Sequence, residues 1–289
     1  MSKDNLIGHE LCLNNFESLY LSGKLPRKII ISGKKGIGKS LIVKHFLIKI
    51  LSDDKSKHLI ENETHSNILY IKKKDDKKNI EIDQVREIIK FTNQSSFNNK
   101  SKFIIIDDVE FLNINSSNAL LKSLEEPNEN VYFFLVFNSE MNISDTIKSR
   151  CLEYKVDLNQ DDTKLIVDNY FDEEIYDIIN KNYKNYYTTP KFLISLIVYL
   201  REHNLSISNT DINYLIKNII SYKHYTKHIF VKDYLNYIIE LFFYNNINIT
   251  KKISYKVKKY YYSKLSNIRK FNLDYETFFL EFEDKFLSE

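Results

Sequence analysis

Residues 31–40 read ISGKKGIGKS, and this stretch constrains the possible folds more than any other. An apolar run at 28–31 precedes it and a helical pattern follows it, which is the strand–loop–helix context of a P-loop. In such a loop, backbone N–H groups surround nucleotide phosphates, a lysine neutralises charge and a hydroxyl binds Mg²⁺. A chance match in an ordinary turn is the alternative, and the flanking pattern disfavours it. The residues with P-loop spacing are Gly33, Gly36, Gly38, Lys39 and Ser40.

Glycine is otherwise scarce in this chain of 289 residues. All five glycines lie at or before residue 38, and three of them belong to the loop. A chain so poor in glycine is expected to keep it where the backbone conformation or a close phosphate approach requires it. The loop glycines are therefore candidate phosphate-binding residues.

Composition excludes several classes of protein. With 43% hydrophobic residues the chain can bury a core, and its net charge of +3 is too small to indicate a nucleic-acid partner. No apolar stretch approaches the roughly 18 residues of a membrane span, and the N-terminus lacks the apolar centre of a signal peptide. Two cysteines form no disulfide framework. We expect a cytoplasmic protein without a membrane partner.

The first half of the chain alternates strand and helix patterns. Unbroken apolar runs at 68–71, 103–106 and 131–138 predict buried strands, with helical patterns between them. This alternation predicts a parallel sheet with helices on both faces. Beyond about residue 157 the pattern is helical only. A helix that begins with Pro190 is predicted over 190–202, since proline is favoured in the first turn of a helix.

Two acids follow the predicted strand at 103–106. A P-loop needs an acid at the end of a neighbouring strand to hold Mg²⁺, and Asp107 is the natural candidate. Asp108 comes directly after it. A solvated strand end is the alternative interpretation of both residues.

Several segments resemble the clamp-loader subunits of bacterial DNA polymerase III, which are AAA+ proteins related to replication factor C. The block SSNALLKSLEEP at 116–127 and the block TIKSRC at 146–151 are similar to motifs of these subunits. Four further segments resemble the delta-prime members of the family in the same order: GHE at 8–10, GKLPRKIIISG at 23–33, HSNILYI at 65–71 and IEIDQVREI at 80–88. The resemblance is continuous over roughly residues 6–156 and much weaker beyond 157.

The resemblance implies a three-part architecture. It predicts an α/β P-loop AAA+ domain over 1–156, with a parallel sheet flanked by helices. A small helical lid is expected over 157–205 and an all-α collar, which joins subunits, over 206–289.

The resemblance also assigns roles to single residues. Arg150 resembles the family's arginine finger, which projects into a neighbour's ATP site; a surface arginine in an ion pair is the alternative. Asn138 resembles the polar sensor at a strand end, although an ordinary strand-end asparagine is equally compatible. Lys191 lies near the second sensor position, where arginine is common. Asp108 replaces the glutamate that orients water in strong AAA+ ATPases, and its side chain is one methylene shorter, so we expect slow or absent hydrolysis.

The metals and partners follow from the same resemblance. The cofactor expected is ATP with Mg²⁺, the latter held by Ser40 and Asp107. No zinc is expected, because residues 52–66 lack the family's cysteine cluster. The expected partners are the other clamp-loader subunits in a hetero-oligomeric ring, the sliding clamp and primed DNA.

Two lysine-rich stretches have alternative interpretations. Residues 72–78 (KKKDDKK) predict a solvated turn, with nucleic-acid contact as the less favoured interpretation. Residues 251–270 contain eight basic residues and no acid, with apolar residues at helical spacing. We favour an amphipathic helix whose lysines are solvated and balanced by the acids of 274–289, over a surface for DNA.

The function predicted is a delta-prime-like subunit that helps ATP-driven loading of the clamp, contributes Arg150 to a neighbour and binds ATP with weak or no hydrolysis. Two alternatives stay open. One is the main ATP-hydrolysing subunit, with Asp108 as its base, and the other is a scaffold subunit without nucleotide. A stand-alone P-loop kinase is a more distant third.

Overall fold

The computed structural model describes residues 6–51, 54–74, 77–93, 101–125, 130–184, 188–247, 254–271 and 273–287. The chain divides into two compact units, Met1–Thr163 (unit 1) and Lys164–Glu289 (unit 2).

Unit 1 is built on a five-stranded sheet whose strand order is β2-β3-β4-β1-β5. All neighbouring strands pair in parallel. The strands at its centre are unbroken apolar runs because helices cover both of their faces. The strands are β1 Lys28–Gly33, β2 Ile68–Ile71, β3 Lys102–Ile106, β4 Val131–Asn138 and β5 Leu152–Lys155.

Helices cover the two faces of this sheet. Along β1, Ile29 and Ile31 point to one face, where Phe46 packs, and Ile30 points to the other, where Leu120 packs. This alternation follows from the period of two in a strand. The helices of unit 1 are α1 Glu10–Leu21, α2 Lys39–Leu51, α3 Asp54–Glu61, α4 Ile82–Asn93, α5 Ile114–Glu125 and α6 Asp145–Lys148. The predicted α/β fold with a parallel sheet flanked by helices is therefore confirmed.

One strand was not predicted from the sequence. β5 is an edge strand in which Leu152 is half-exposed and most side chains face solvent, so no apolar run marks it. The four predicted strands are confirmed. Glu126 and Pro127, the predicted end of α5, lie outside the described residues.

Unit 2 is helical, as predicted, and α7 Gln160–Phe171 leads into it. One hydrophobic cluster runs from Val167 to Leu287. The remaining helices are α8 Lys181–Lys184, α9 Pro190–Glu202, α10 Ile212–Ser221, α11 His224–Lys227, α12 Ile229–Asn246, α13 Tyr255–Phe271 and α14 Glu276–Phe286. The cluster includes residues of both the predicted lid and the predicted collar, and the division at 205 stays a prediction.

Aromatic side chains form much of the core of unit 2. Phe282 is fully buried and packs against Phe242, Tyr261 and Phe286 with ring centroids 4.9–5.4 Å apart. Aromatic pairs at such distances add stabilisation beyond their buried area.

The helix predicted within 251–270 is observed as α13, and residues 251–253 lie outside the described residues. Tyr261, Leu265 and Ile268 are buried on its apolar face. Lys264 forms an ion pair with Glu281 of α14, as the interpretation with balancing acids predicts. In the 72–78 stretch, Lys72 and Lys77 pair with nearby glutamates, and residues 75–76 are outside the described part.

Among the described residues, no helix combines the length and the apolar character needed to cross a membrane.

Candidate functional site

The P-loop joins the carboxyl end of β1 to the start of α2. Gly33 is required there by close packing, because a Cβ at this position would lie 2.5 Å from the carbonyl oxygen of Val156. Gly36 and Gly38 have φ values of 89° and 97°, a region that other residues rarely adopt. The three loop glycines predicted from the sequence thus each satisfy a backbone requirement.

The loop has the form of a phosphate cradle. Within the residues that the structure describes, the backbone N–H groups of Gly36 and Gly38 donate to no protein acceptor. Both precede the N-terminus of α2, where the helix dipole and unpaired N–H groups favour an anion. The donors therefore fit the phosphates of a nucleotide.

Lys39 is buried against this loop. Its ammonium group donates to the carbonyl oxygens of Gly33 at 2.9 Å and Lys34 at 2.7 Å, and the residue is only 7% exposed. Burial lowers the pKa of Lys39, and the nearby carboxylates of Glu110 and Asp107 oppose that change. The lysine is thus held at the loop with acidic side chains near its charge.

Ser40 and Asp107 meet beside the loop, as predicted for a Mg²⁺ site. The Ser40 hydroxyl donates to Oδ2 of Asp107 at 2.9 Å. Burial, together with the neighbouring charge of Asp108, raises the pKa of Asp107. A hydroxyl oxygen beside a carboxylate is a donor set that suits Mg²⁺, which prefers oxygen ligands.

Asp108 has a left-handed backbone, with φ 55° and ψ 51°, before the 3₁₀ turn Val109–Phe111. Its N–H donates to Oδ1 of Asp107 at 3.1 Å. The turn places a third acid, Glu110, in this group. Burial raises the pKa of Glu110, and its Oε2 accepts a hydrogen bond from the N–H of Asn138 at 3.2 Å. Sequence reasoning missed Glu110, although it follows the two predicted acids by two residues.

Asn138 ends β4 at the same level of the sheet as Gly33 of β1, to which it is directly paired. Its side-chain oxygen accepts from the N–H of Glu140 at 3.1 Å. The parallel sheet thus brings the ends of β1, β3 and β4 to one edge, with Asn138 linked to the acids through Glu110. The interpretation as a nucleotide sensor stays a prediction.

His9 is a second residue that sequence reasoning missed. Its ring is 4% exposed, and its Nε2 lies 2.6 Å from the carbonyl oxygen of Ile37 in the loop. A Cβ on Gly38 would lie 3.6 Å from the same ring. The available signal was the GHE segment at 8–10, which the resemblance singled out without assigning a role. His9 supports the loop from the N-terminal side.

Arg150 lies between α6 and β5 and is not drawn into this group. Its guanidinium is 3.0 Å from Oε1 of Glu125 and donates to the carbonyl oxygen of Thr146 at 2.9 Å. The side chain is 34% exposed. The ion pair is the alternative that the sequence left open, and it leaves the finger role a prediction.

Lys191 belongs to unit 2, where it is exposed in the first turn of α9. Its second-sensor role stays a prediction. In the 52–66 region, His58 lies within hydrogen-bonding distance of Asn62, and His65 lies close to Ser56. Cys12 and Cys151 are free thiols of unit 1, and burial raises the pKa of each to about 11.

Comparison with known proteins places this architecture in a family. The family model described as "DNA polymerase III, delta subunit" matches residues 8–160.

Three relatives illustrate the range of similarity. The delta-prime subunit of DNA polymerase III from Pseudomonas aeruginosa is 30% identical over 134 residues, covering 43% of this chain and 41% of the relative. The gamma subunit from Buchnera aphidicola subsp. Schizaphis graminum is 29% identical over 220 residues, covering 71% of this chain and 61% of the relative. The replication factor C small subunit of Haloarcula marismortui is 28% identical over 160 residues, covering 55% of this chain and 45% of the relative.

The chain therefore spans between 41% and 61% of the length of these relatives. The family match itself covers more than half of the 289 residues and includes every residue of the loop site. The chain belongs to the DNA polymerase III delta subunit family.

Proposed function

We propose that this protein is a delta-prime-like subunit of a clamp loader and helps ATP-driven loading of a sliding clamp on primed DNA. The observation that carries the proposal is the family match over residues 8–160, which contains an intact loop where Lys39 donates to the loop carbonyl of Gly33 and Ser40 donates to Asp107. The partners proposed are related subunits in a hetero-oligomeric ring, the clamp and primed DNA. Such a protein works in the cytoplasm.

The loop binds ATP in this proposal. Gly33, Gly36 and Gly38 shape the cradle, and Lys39 contacts the phosphates after leaving the loop carbonyls that it now contacts. Ser40 and Asp107 hold Mg²⁺, which neutralises phosphate charge when it is bound. Asn138 senses the terminal phosphate. Lys191 of the helical lid is the proposed second sensor.

Hydrolysis at this site is weak. Asp108 is the acid at the position of the water-orienting glutamate, and its left-handed backbone ties its N–H to Asp107. A displacement of about 1 Å in a positioning group costs on the order of a hundredfold in rate. Nucleotide therefore acts as a structural or timing element.

Arg150 contributes to the ATP cycle in trans. Its side chain is 34% exposed and pairs with Glu125, whose side chain is 54% exposed. An exposed ion pair of this kind contributes about 0–1 kcal/mol, so a phosphate on a neighbour can replace it at little cost. Arginine suits this role because its planar fork binds phosphate oxygens in a bidentate manner.

The first test is equilibrium binding of a fluorescent ATP analogue with Mg²⁺ to the isolated protein. We expect micromolar affinity, weakened at least about tenfold in Lys39→Ala, which corresponds to about 1.4 kcal/mol. Lys49→Ala is the matched control, since Lys49 is exposed at the far end of the same helix and pairs with Glu17. Absence of binding in the unsubstituted protein would contradict nucleotide binding and favour the scaffold alternative.

The second test uses the complex assembled with its partner subunits. Arg150→Ala is expected to lower ATP turnover and clamp loading at least about tenfold, because an arginine finger contributes a factor of 10³ or more at its own site. Arg86→Ala is the control, since Arg86 forms a comparable exposed pair with Asp83. Unchanged loading with Arg150→Ala would refute the finger role.

The main ATP-hydrolysing subunit is the second candidate. The similarity to the Buchnera gamma subunit favours it, since that match covers more of this chain than the delta-prime match does. Steady-state turnover by the isolated protein that is lost in Asp108→Asn would support this candidate. We expect turnover to be slow and insensitive to that change.

A further inference from the structure

Three histidines of unit 2 converge at the ends of helices, far along the chain from the loop. His203 follows the last residue of α9, His224 begins α11, and His228 lies directly before α12. The ring centroid of His203 lies 4.3 Å from that of His224 and 5.3 Å from that of His228. We call these three residues the histidine cluster. The chain has only seven histidines, so three within 26 positions are a concentration.

A carboxylate completes this group. Glu202, the last residue of α9, places its Oε2 3.2 Å from Nε2 of His228. One possible ligand atom from each of Glu202, His203 and His228 lies within 4.8 Å of the others. Ligand atoms on one tetrahedral zinc ion, at bonds of about 2.0–2.1 Å, lie about 3.4 Å apart. Side-chain rotations that move these ligand atoms by about 1 Å would bring them to the spacing that one bound ion requires.

Two ring nitrogens in the cluster lack a hydrogen-bond partner among the residues that the structure describes. Nε2 of His203 and Nδ1 of His228 are buried, and neither makes a hydrogen bond within the described residues. Buried polar atoms are ordinarily paired, and an exception asks for an explanation such as an ion. The two atoms belong to two of the three residues that form the candidate ligand set.

Neighbouring aromatic residues hold the rings in place. The hydroxyl of Tyr199 lies 2.7 Å from Nδ1 of His224, whose ring stacks on that of His203. The ring of Tyr199 itself meets His203 edge-on at 4.5 Å and His228 at 4.9 Å. Rings locked by packing and hydrogen bonds lower the cost of organising ligands around a metal.

The cluster is accessible from solvent. A cavity of about 400 Å³ lies against it and is lined by Tyr222, Lys223, His224, Thr226, Lys227 and His228. Lys223 in this wall forms an ion pair with Glu276, which offsets its charge. Of the residues in the candidate ligand set, His228 lines this cavity, so water reaches the set from that side.

We propose that Glu202, His203 and His228 bind one divalent transition-metal ion, with Zn²⁺ as the favoured ion. Imidazole nitrogen suits zinc, copper and nickel, whereas Mg²⁺ and Ca²⁺ prefer ligand sets made of oxygen. The bound ion links the end of α9 to the start of α12 and stabilises unit 2 through ligand binding to the folded state. The expectation of no zinc rested on missing cysteines at 52–66, and this site uses other residues.

The test is a titration of tag-free protein, stripped with a chelator, with Zn²⁺ against a chromogenic competitor. We expect one equivalent to bind with micromolar or tighter affinity and Glu202→Gln and His203→Asn each to weaken binding at least about tenfold. His58→Asn is the matched control, because this exposed histidine lies outside the cluster. Co²⁺ should give visible absorption bands of a tetrahedral site in the control and lose them in both cluster variants.

Glu202→Gln separates loss of metal binding from loss of folding, because Glu202 is 54% exposed and its replacement should leave the fold intact. Zn²⁺ should raise the melting temperature of the unsubstituted protein and leave that of Glu202→Gln unchanged. Binding that is equally tight in all three variants would place the ion elsewhere and overturn the proposal. Failure of Zn²⁺ and Co²⁺ to bind at concentrations well above micromolar would also overturn it.

Discussion

The two units of this protein position their candidate functional residues by different means. In unit 1 the residues stand at the ends of parallel strands and in a loop shaped by glycine. In unit 2, which contains no glycine, the histidine cluster is held by aromatic packing at helix ends. The family match ends at residue 160, close to the boundary between the units.

A sequence motif is expected only where the backbone of a site restricts the residue type. A loop whose backbone must adopt positive φ and approach a phosphate restricts the residue type at fixed spacing, so the motif is local. A site assembled from the ends of α9, α11 and α12 places no such restriction on neighbouring positions. It can be found only once the helices are packed.

The largest effect is expected in the aromatic core of unit 2. Phe282→Ala removes a fully buried ring, and we expect unfolding free energy to fall by about 3–5 kcal/mol. Leu280→Ala on the same helix is the control, since Leu280 is 63% exposed, and its effect should stay within about 0.5 kcal/mol. Denaturant unfolding followed by circular dichroism measures both. An equal loss in the two variants would show that Leu280 is also buried in solution.

The thiols report on unit 1 alone, because Cys12 and Cys151 both lie there. Burial raises the pKa of each to about 11, so little thiolate exists at pH 8. Alkylation by iodoacetamide should be about a hundredfold slower than for free cysteine and should rise as the pH approaches 11. Mass spectrometry gives the rate at each cysteine. Rapid labelling at pH 8 would contradict the burial of these thiols.

Thiol labelling can also test whether the two units unfold independently of one another. Phe282→Ala should leave labelling of both thiols at the unsubstituted rate if the units unfold independently. A parallel increase would mean that loss of unit 2 packing also opens unit 1, so that the two units are not independent.

A smaller effect is expected at the loop. Gly33→Ala places a Cβ 2.5 Å from a backbone oxygen, which we expect to cost about 1–3 kcal/mol and to weaken binding of the ATP analogue. Gly23→Ala is the comparison, because no atom of the described part of the chain lies within 4 Å of its added Cβ and only its φ of 69° opposes the change. Gly33→Ala should accelerate thiol labelling. If Gly33→Ala bound the ATP analogue as tightly as the unsubstituted protein, the P-loop would tolerate the backbone displacement that the added Cβ causes.

The smallest effect is expected at the surface of unit 1. Glu125→Gln breaks the pair with Arg150, and the free energy of unfolding should change by less than about 0.5 kcal/mol. Asp83→Asn, which breaks another exposed pair, should behave alike. A thermal melt compares the two variants. A much larger loss with Glu125→Gln would make this pair part of the fold and count against release of Arg150 to a neighbour.

Much of the loop site was predictable from the chain. Lys39 and Ser40 follow from the glycine spacing, and Asp107 follows from an apolar strand that ends in acids. The contact between Ser40 and Asp107, 67 positions apart, is a consequence of parallel strands whose carboxyl ends meet at one edge. Pattern and topology were sufficient because burial of both sheet faces leaves continuous apolar runs in the sequence.

Other parts of the site were not predictable. Glu110 enters through a 3₁₀ turn that no motif marks, and His9 reaches the loop from a segment that precedes α1. The pair between Arg150 and Glu125 depends on how α5 and α6 end beside one another. The edge strand β5 lacks an apolar run because solvent covers much of it. Each of these depends on contacts between distant segments rather than on local pattern.

The amino-acid sequence alone was enough to establish the P-loop, the alternating α/β order of unit 1 and the helical character of unit 2. Backbone sterics and hydrophobic periodicity act over a few neighbouring residues, so both can be recognised in the amino-acid sequence. Tertiary structure decided that Lys39 is held by the carbonyls of its own loop and that Arg150 pairs with Glu125. It also decided that three histidines meet beside Glu202, since side-chain contacts between separate elements form only when those elements pack.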